Sequence, residues 1–276
     1  MSLAVVSAVV FAVLFLVTAF WNVWALLTLI AIVMVIAILE VDAALRVAAP
    51  QREHPARRPS VTLRPPTIAV LAGGVGMLSG AFVYGEAGQL AALVMTFVAV
   101  VACSLADHDD VRALRSASGV LLIALWIPFL ASFLALLLRR PDGHWYIIIT
   151  VALTAASDIS AFAVGSRFGR SKLAPAVSPA KTWEGLAGGL IGAVVVAGIG
   201  APLIVAQLSV GRAVALGALV SLVATVGDLA ESAVKRSLGV KDLGHLLPGH
   251  GGMMDRVDAM LFTLPVAHFV LLAGGL

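Results

Sequence analysis

Long apolar runs dominate this sequence and constrain what it can fold into. Each run approaches the roughly 20 residues that a helix needs to cross a hydrocarbon layer about 30 Å thick. The runs cover residues 3–20, 23–39, 67–83, 89–105, 119–138, 145–165, 186–207, 213–227 and 257–276. With 61% hydrophobic and 12% charged residues, the chain has more apolar surface than a water-soluble core can hide. We therefore predict an all-α, polytopic membrane protein with about nine transmembrane helices.

The first run has no basic segment before it and meets the second across the short turn "WNVW". This pattern favours a retained helical hairpin over a cleaved signal peptide. A Pro- and Arg-rich stretch at residues 46–66 follows the second run and reads as a basic cytosolic loop. We divide the chain into N-terminal membrane helices with this linker, 1–140, and a catalytic membrane region, 141–276.

The basic residues indicate the orientation, because Lys and Arg accumulate in cytoplasmic loops. With the N-terminus inside, 15 of the 18 Lys and Arg residues fall in the cytoplasm and 3 outside. The inner set is Arg46, Arg52, Arg57, Arg58, Arg64, Arg112, Arg115, Arg167, Arg170, Lys172, Lys181, Lys235, Arg236, Lys241 and Arg256, and the outer set is Arg139, Arg140 and Arg212. The net charge of +3 thus reflects a membrane-side bias and does not indicate a nucleic-acid partner. We expect a multi-pass protein of the cell membrane.

Acidic residues reach the cytoplasmic end of three separate runs. Asp158 lies seven residues before the inner end of its run at 165, or roughly 10 Å deep, Asp228 follows the eighth run, and Asp255 and Asp258 begin the ninth. A carboxylate near hydrocarbon is costly unless it is paired, hydrated or bound to a cation. This convergence predicts a functional site at the cytoplasmic face.

The residues around these acids suit phosphate chemistry. Asp228, Ser232 and Lys235 share one helical face, whereas Glu231 and Lys235 read as a surface ion pair. The Gly pair in "PGHGG" can bring backbone N–H groups close to an anion. Mg²⁺ prefers carboxylate and phosphate oxygens, and cations neutralise the remaining phosphate charge. Together they favour phosphoryl or nucleotidyl transfer; no GxSxG elbow is present, and a single Cys with scattered His disfavours zinc.

Residues 232–258, "SAVKRSLGVKDLGHLLPGHGGMMDRVD", resemble the signature of phosphatidate cytidylyltransferases, also called CDP-diacylglycerol synthases. The matching positions are Ser232, Lys235, Arg236, Lys241, Asp242, Pro248, His250, Gly251, Gly252, Asp255, Arg256 and Asp258. Residues 178–185, "SPAKTWEG", are similar to a second stretch of that family. The chain departs from the family's pattern at Ala180, where Lys is frequent, and at Phe162, where an aromatic hydroxyl is common.

The resemblance implies that CTP and phosphatidate react to CDP-diacylglycerol and pyrophosphate in phospholipid biosynthesis. It implies Mg²⁺ as the cofactor, with room for a second, monovalent cation. The implied metal ligands are Asp158, Asp228 and Asp255. The implied catalytic residues are Asp228, Asp255, Lys235 and Arg236. The implied substrate-binding residues are Ser178, Lys181, Thr182, Ser232, Lys241, His250, Gly251, Gly252, Arg256 and Asp258.

Two other functions stay open at this point. A CTP-dependent lipid kinase of the polyprenol or phytol type is also a membrane enzyme, and it would transfer the γ-phosphoryl group. A transporter with broken helices would also place acids and Gly in the membrane, but the acids here cluster at one surface. The expected partners are CTP, phosphatidate and membrane lipids, and we expect a homodimer.

Overall fold

The computed structural model describes residues 3–48, 65–106, 110–205, 207–244 and 251–273, and most of them are helical. The helices are α1 (Leu3–Trp21), α2 (Val23–Ala48), α3 (Pro65–Tyr84), α4 (Glu86–Leu105), α5 (Asp110–Ala124), α6 (Leu130–Leu138), α7 (Gly143–Phe168), α8 (Trp183–Ile204), α9 (Val210–Leu238) and α10 (Met254–Ala273). A single π-helical turn, Leu125–Phe129, joins α5 to α6 around Pro128. Most of the basic linker lies outside the described residues.

Within these ranges, eight helical segments are long and apolar enough to cross a membrane. The end of α5, the π-helical turn and α6 together form one of them, Ala117–Leu138. Helix α1 contributes a shorter apolar stretch, Val9–Trp21, so eight spans meet this criterion rather than nine. Large apolar side chains such as Phe97, Ile199 and Leu203 are exposed on the helix surfaces, as expected where the solvent is lipid. The prediction of an all-α, multi-pass membrane protein is confirmed.

The chain forms two compact units. Unit 1 comprises Met1–Ala135 and Leu238–Asp255, and unit 2 comprises Leu136–Ser237 and Arg256–Leu276. The predicted boundary at residue 140 separates a catalytic region from the helices before it. The packing of the helices does not show where catalysis takes place, so this boundary stays a prediction.

In unit 1, small residues and hydrogen bonds between side chains bring the helices together. A Cβ on Gly80 of α3 would lie 2.8 Å from the carbonyl oxygen of Gly88 of α4, so the two backbones pack directly against each other. Buried Gln89 donates from Nε2 to the hydroxyl of Ser132 at 2.7 Å. Small residues and interhelical hydrogen bonds are the usual means of holding helices together in lipid, where the hydrophobic effect between helices is weak.

In unit 2, small residues and a hydrogen bond between helices likewise hold α7 against its neighbours. Gly188 and Gly189 of α8 face α7, where a Cβ on Gly188 would lie 2.5 Å from Val164. The buried hydroxyls of Ser157 and Ser221 are 2.8 Å apart, which ties α7 to α9. Helix α7 is therefore held at close range by its neighbours along the stretch that leads to Asp158.

A short hairpin interrupts the helices between α7 and α8. Strand β1 (Lys172–Ala174) pairs antiparallel with β2 (Ser178–Thr182), with Lys172 opposite Thr182 and an irregular register between Lys172 and Ala174. The apolar runs of the sequence predict only helices and connecting loops, so no strand is expected here. Strands this short carry too few residues to show an alternating hydrophobic pattern.

Candidate active site

A cavity of about 370 Å³ lies within unit 2, between α7, the hairpin, α8 and α9. Its lining combines two carboxylates, one ammonium group and several hydroxyls with an aromatic ring and two leucines. The lining residues are Asp158, Ala161, Phe162, Gly165, Ser166, Leu173, Ala180, Lys181, Thr182, Gly185, Leu186, Thr225 and Asp228. A lining that contains both kinds of side chain suits a ligand that has both a charged and an apolar part.

Two of the lining residues form an ion pair. Lys181 Nζ of β2 lies 2.5 Å from Asp228 Oδ2 of α9, and both side chains are about a quarter exposed. Asp158 of α7 is close enough to interact electrostatically with both partners. The structure thus brings together Asp158, Lys181 and Asp228, which are 70 residues apart in sequence at the extremes.

Tight local packing places Lys181 at this point. Thr182 is the N-cap of α8, and its buried hydroxyl accepts the Gly185 N–H at 3.1 Å. A Cβ on Gly165 would lie 3.4 Å from the Gly185 Cα, so α7 and α8 meet almost backbone to backbone. Glu184 accepts the Ser171 N–H through both carboxylate oxygens, at 3.1 and 3.2 Å. The hairpin is therefore fastened to the first turn of α8 at both of its ends.

A buried acidic group adjoins Asp228. Asp258 of α10 lies close enough to Asp228 and Glu231 of α9 to interact with both carboxyl groups, and Glu231 pairs with Lys235 at 3.0 Å. Glu231 is only 3% exposed. The interpretation of Glu231 and Lys235 as a surface pair is therefore wrong: the pair exists, but α10 covers the face on which Glu231 lies.

Other predicted residues of unit 2 do not line the cavity. Arg236 Nε donates to the Val177 carbonyl in the hairpin turn at 3.4 Å, so this side chain braces the hairpin against α9. Ser178 and Ser232 are half-buried, and Arg256 is exposed. Their substrate roles stay predictions.

The remaining predicted residues belong to unit 1. Asp255 Oδ2 accepts the Gly252 N–H at 2.7 Å, which closes the turn that leads into α10. Gly251 has φ +78°, a left-handed conformation that favours glycine. Lys241 is exposed, and His250 lies outside the described residues.

Both departures from the family's pattern line the cavity beside Lys181. Phe162 is 77% exposed and Ala180 is exposed too. Sequence reasoning missed Thr225, which lies three residues before Asp228 on the cavity face of α9; the i,i+3 spacing was the available signal. It also missed Glu231, because the i,i+4 pair with Lys235 offered a sufficient explanation.

The oxygen-rich end of the cavity fits a hard cation. Asp158 and Asp228 supply carboxylate oxygens, and Thr225 adds a hydroxyl. A positive charge, the Lys181 ammonium, already contacts Asp228. Mg²⁺ in enzymes that act on phosphates is typically held by one or two carboxylates together with substrate phosphates, so the chemical type of these donors suits the ion. Among the described residues no group of three or more His, Cys, Asp or Glu side chains is arranged to hold a metal without substrate.

Comparison with known proteins assigns the family. The model of the cytidylyltransferase family matches residues 2–273. The chain is 38% identical to phosphatidate cytidylyltransferase of Mycobacterium leprae over 221 residues, covering 73% of this chain and 69% of that protein. It is 36% identical to the Mycobacterium bovis protein of the same name over 222 residues, covering 75% and 71%, and 33% identical to that of Thermotoga maritima over 182 residues, covering 64% and 67%. The chain therefore belongs to the cytidylyltransferase family.

Proposed function

We propose that this protein transfers the cytidylyl group of CTP to phosphatidate, giving CDP-diacylglycerol and pyrophosphate for phospholipid biosynthesis. The observation that carries the proposal is the Lys181–Asp228 ion pair, which shares one cavity with Asp158 and with apolar side chains. A lipid phosphate needs both kinds of surface, and family membership across residues 2–273 directs the choice to cytidylyl transfer.

The chemistry is an in-line displacement at phosphorus. A phosphatidate oxygen attacks the α-phosphorus of CTP, the new P–O bond forms, and the bond to the β-phosphate oxygen breaks as pyrophosphate leaves. Because a phosphate monoester is already an anionic nucleophile, no general base is required. The protein's task is to position the two substrates and to stabilise charge.

Named groups of this chain perform that task. Lys181 presents a positive charge to the phosphates from β2. Thr182 accepts the Gly185 N–H and keeps its own hydroxyl proton to donate to a phosphate oxygen. Asp158 and Asp228 would hold Mg²⁺, and the ion would neutralise phosphate charge and orient the triphosphate. The ligand role expected for Asp255, a residue of unit 1, stays a prediction.

The site faces the cytoplasm in this proposal, where CTP is dissolved. The charge asymmetry supports it, and the sidedness of the loops beyond α2 does not depend on whether α1 spans the bilayer. Single cysteines at positions 181 and 241 in a Cys103→Ala background are expected to react with an impermeant reagent only from inside. Cysteines replacing Arg140 and Arg212 are expected to react only from outside, and the reverse pattern would contradict the orientation. A homodimer also stays a prediction, which cross-linking in native membranes tests.

Isotope position tests the reaction. Purified protein given phosphatidate and CTP labelled at the α-phosphate should place label in the lipid phase, whereas γ-labelled CTP should yield label only in pyrophosphate. A lipid kinase transfers the γ-phosphorus and releases CDP. Lipid labelled from the γ position, with a polyprenol or phytol as the better acceptor, would refute cytidylyl transfer and support the kinase.

A further inference from the structure

Glu40, in the second helix of the chain, contacts the turn that leads into α10. Its Oε2 accepts the backbone N–H of Met254 at 3.0 Å, across 214 residues of sequence. Met254 is the first residue of α10 and is fully buried. The first N–H groups of a helix lack partners within the helix, so a carboxylate at this position satisfies one of them and interacts favourably with the helix dipole.

Two glycines make room for the same carboxylate. A Cβ on Gly252 would lie 2.6 Å from Glu40 Oε2, and a Cβ on Gly244 would also collide with the Glu40 carboxyl group. Gly252 is among the glycines of the family-like motif, and its φ is not in the left-handed region. The close approach of Glu40 therefore explains why this position lacks a side chain.

The turn is held from two directions. Asp255 binds the Gly252 N–H from within α10, and Glu40 binds the Met254 N–H from α2. The second oxygen of Glu40, Oε1, is buried and has no hydrogen-bond partner among the described residues. A buried carboxylate oxygen without a hydrogen bond destabilises the folded state. An apolar side chain would fill the same space without this penalty, so space-filling alone does not explain Glu40.

We infer that Glu40 is a positioning residue, which fixes the first turn of α10 and thereby the direction of the Asp255 side chain. Glu40 thus gives the N-terminal helices a role in the reaction, although the motifs at residues 178–185 and 232–258 do not include these helices. Its catalytic consequence rests on the proposed function, whereas its structural consequence does not.

Hydrogen exchange tests the structural consequence without any substrate. In Glu40→Ala, amide exchange at Met254 should speed up about tenfold or more, because a hydrogen bond to a charged acceptor is lost. Glu40→Asp, which keeps the charge and loses one methylene of reach, should behave like Glu40→Ala. Glu40→Gln keeps the acceptor at the same reach and should stay within about threefold of the wild type. If Glu40→Ala does not fold, the comparison of Glu40→Asp with Glu40→Gln still tests the role of Glu40. Equal exchange rates at Met254 in these two variants would overturn the inference.

Asp42 provides the matched control on the same helix. It is a buried carboxylate two residues away that pairs with Arg46 and accepts the Thr67 hydroxyl at 3.1 Å. Asp42→Asn should lower the midpoint of thermal unfolding and leave exchange at Met254 unchanged. Faster exchange at Met254 in this variant, as large as in Glu40→Asp, would show a general loosening of the unit and would refute a specific role of Glu40.

Kinetics test the catalytic consequence. Glu40→Asp should lower kcat about tenfold or more and raise the Mg²⁺ concentration needed for half-maximal rate, with Glu40→Gln restoring both. If Glu40 acts through Asp255, adding Glu40→Asp to Asp255→Asn should cost less than about twofold further in kcat. Losses that multiply would contradict this route. A wild-type protein without cytidylyl transfer would refute the proposed function, while the exchange result at Met254 would still decide the placement of the turn.

Discussion

Breaking the Lys181–Asp228 ion pair from each side, and from both at once, distinguishes a catalytic pair from a structural one. Two unit charges 2.5 Å apart attract by about 7 kcal/mol at an effective dielectric constant of about 20, before desolvation is subtracted. Desolvation cancels most of this, because both groups are only about a quarter exposed. The net contribution of such a charged hydrogen bond to stability is about 1.5–3 kcal/mol.

We predict that Lys181→Met and Asp228→Asn each lower kcat by roughly 100-fold or more, the usual cost of removing one electrostatic contact to a transition state. In the double variant no charge is left unpaired by its former partner, so stability should recover towards that of the wild type. Turnover should not recover, because both groups are needed by the substrates.

The assay is initial-rate transfer of α-labelled CTP to phosphatidate in detergent, with thermal unfolding of each variant measured in parallel. Lys181→Arg keeps the positive charge and serves as the control for space and charge. Return of activity together with stability in the double variant would refute a catalytic role for the pair, since neutral side chains would then suffice.

Three further outcomes are expected. Asp255→Asn should keep an acceptor oxygen for the turn and remain folded, yet lose about 100-fold in kcat because the charge is gone; activity near wild type with unchanged Mg²⁺ dependence would contradict a metal-ligand role. Thr182→Val should lower the free energy of unfolding by about 1 kcal/mol through loss of the α8 N-cap contact to Gly185, measured by thermal unfolding against Thr182→Ser. Gly188→Ala should lower the free energy of unfolding by about 1–3 kcal/mol through overpacking of the α7–α8 contact. Gly200→Ala should not destabilise the protein, because nothing outside the local backbone of α8 lies within 4 Å of the new Cβ. Equal effects of the two substitutions would refute close packing at Gly188.

The helices were predictable because each depends on the composition of one stretch of sequence. The same holds for the expectation that Asp158, Lys181 and Asp228 lie on one side of the membrane. An apolar run of membrane length has few alternatives to a helix, so the observed helices overlap all nine predicted runs. Charge asymmetry then placed Asp158, Lys181 and Asp228 on one side, and the structure brings these three residues into one cavity. The sequence could not tell how close they approach, because that distance depends on the packing of α7 against α8 through glycines.

The contacts that escaped prediction depend on partners far away in sequence. Nothing about Glu40 in an apolar helix indicates the Met254 N–H, 214 residues later. Glu231 has a satisfactory partner four residues away, and only α10 shows that the pair is buried. Local patterns report which face of a helix is polar, but tertiary packing decides whether that face meets water or another helix.

The length of α9 explains the depth at which Asp228 lies. Its 29 residues rise about 44 Å at 1.5 Å per residue, which exceeds a hydrocarbon core of about 30 Å by about 14 Å. The stretch from Asp228 to Leu238 accounts for about 16 Å of that helix, and it begins directly after the last apolar residues. Asp228 is therefore expected at the depth where the helix leaves the hydrocarbon. In the proposed reaction a dissolved triphosphate meets a lipid phosphate anchored at the membrane surface, so a carboxylate placed several turns farther out along the helix would be too far from the lipid phosphate to contact it.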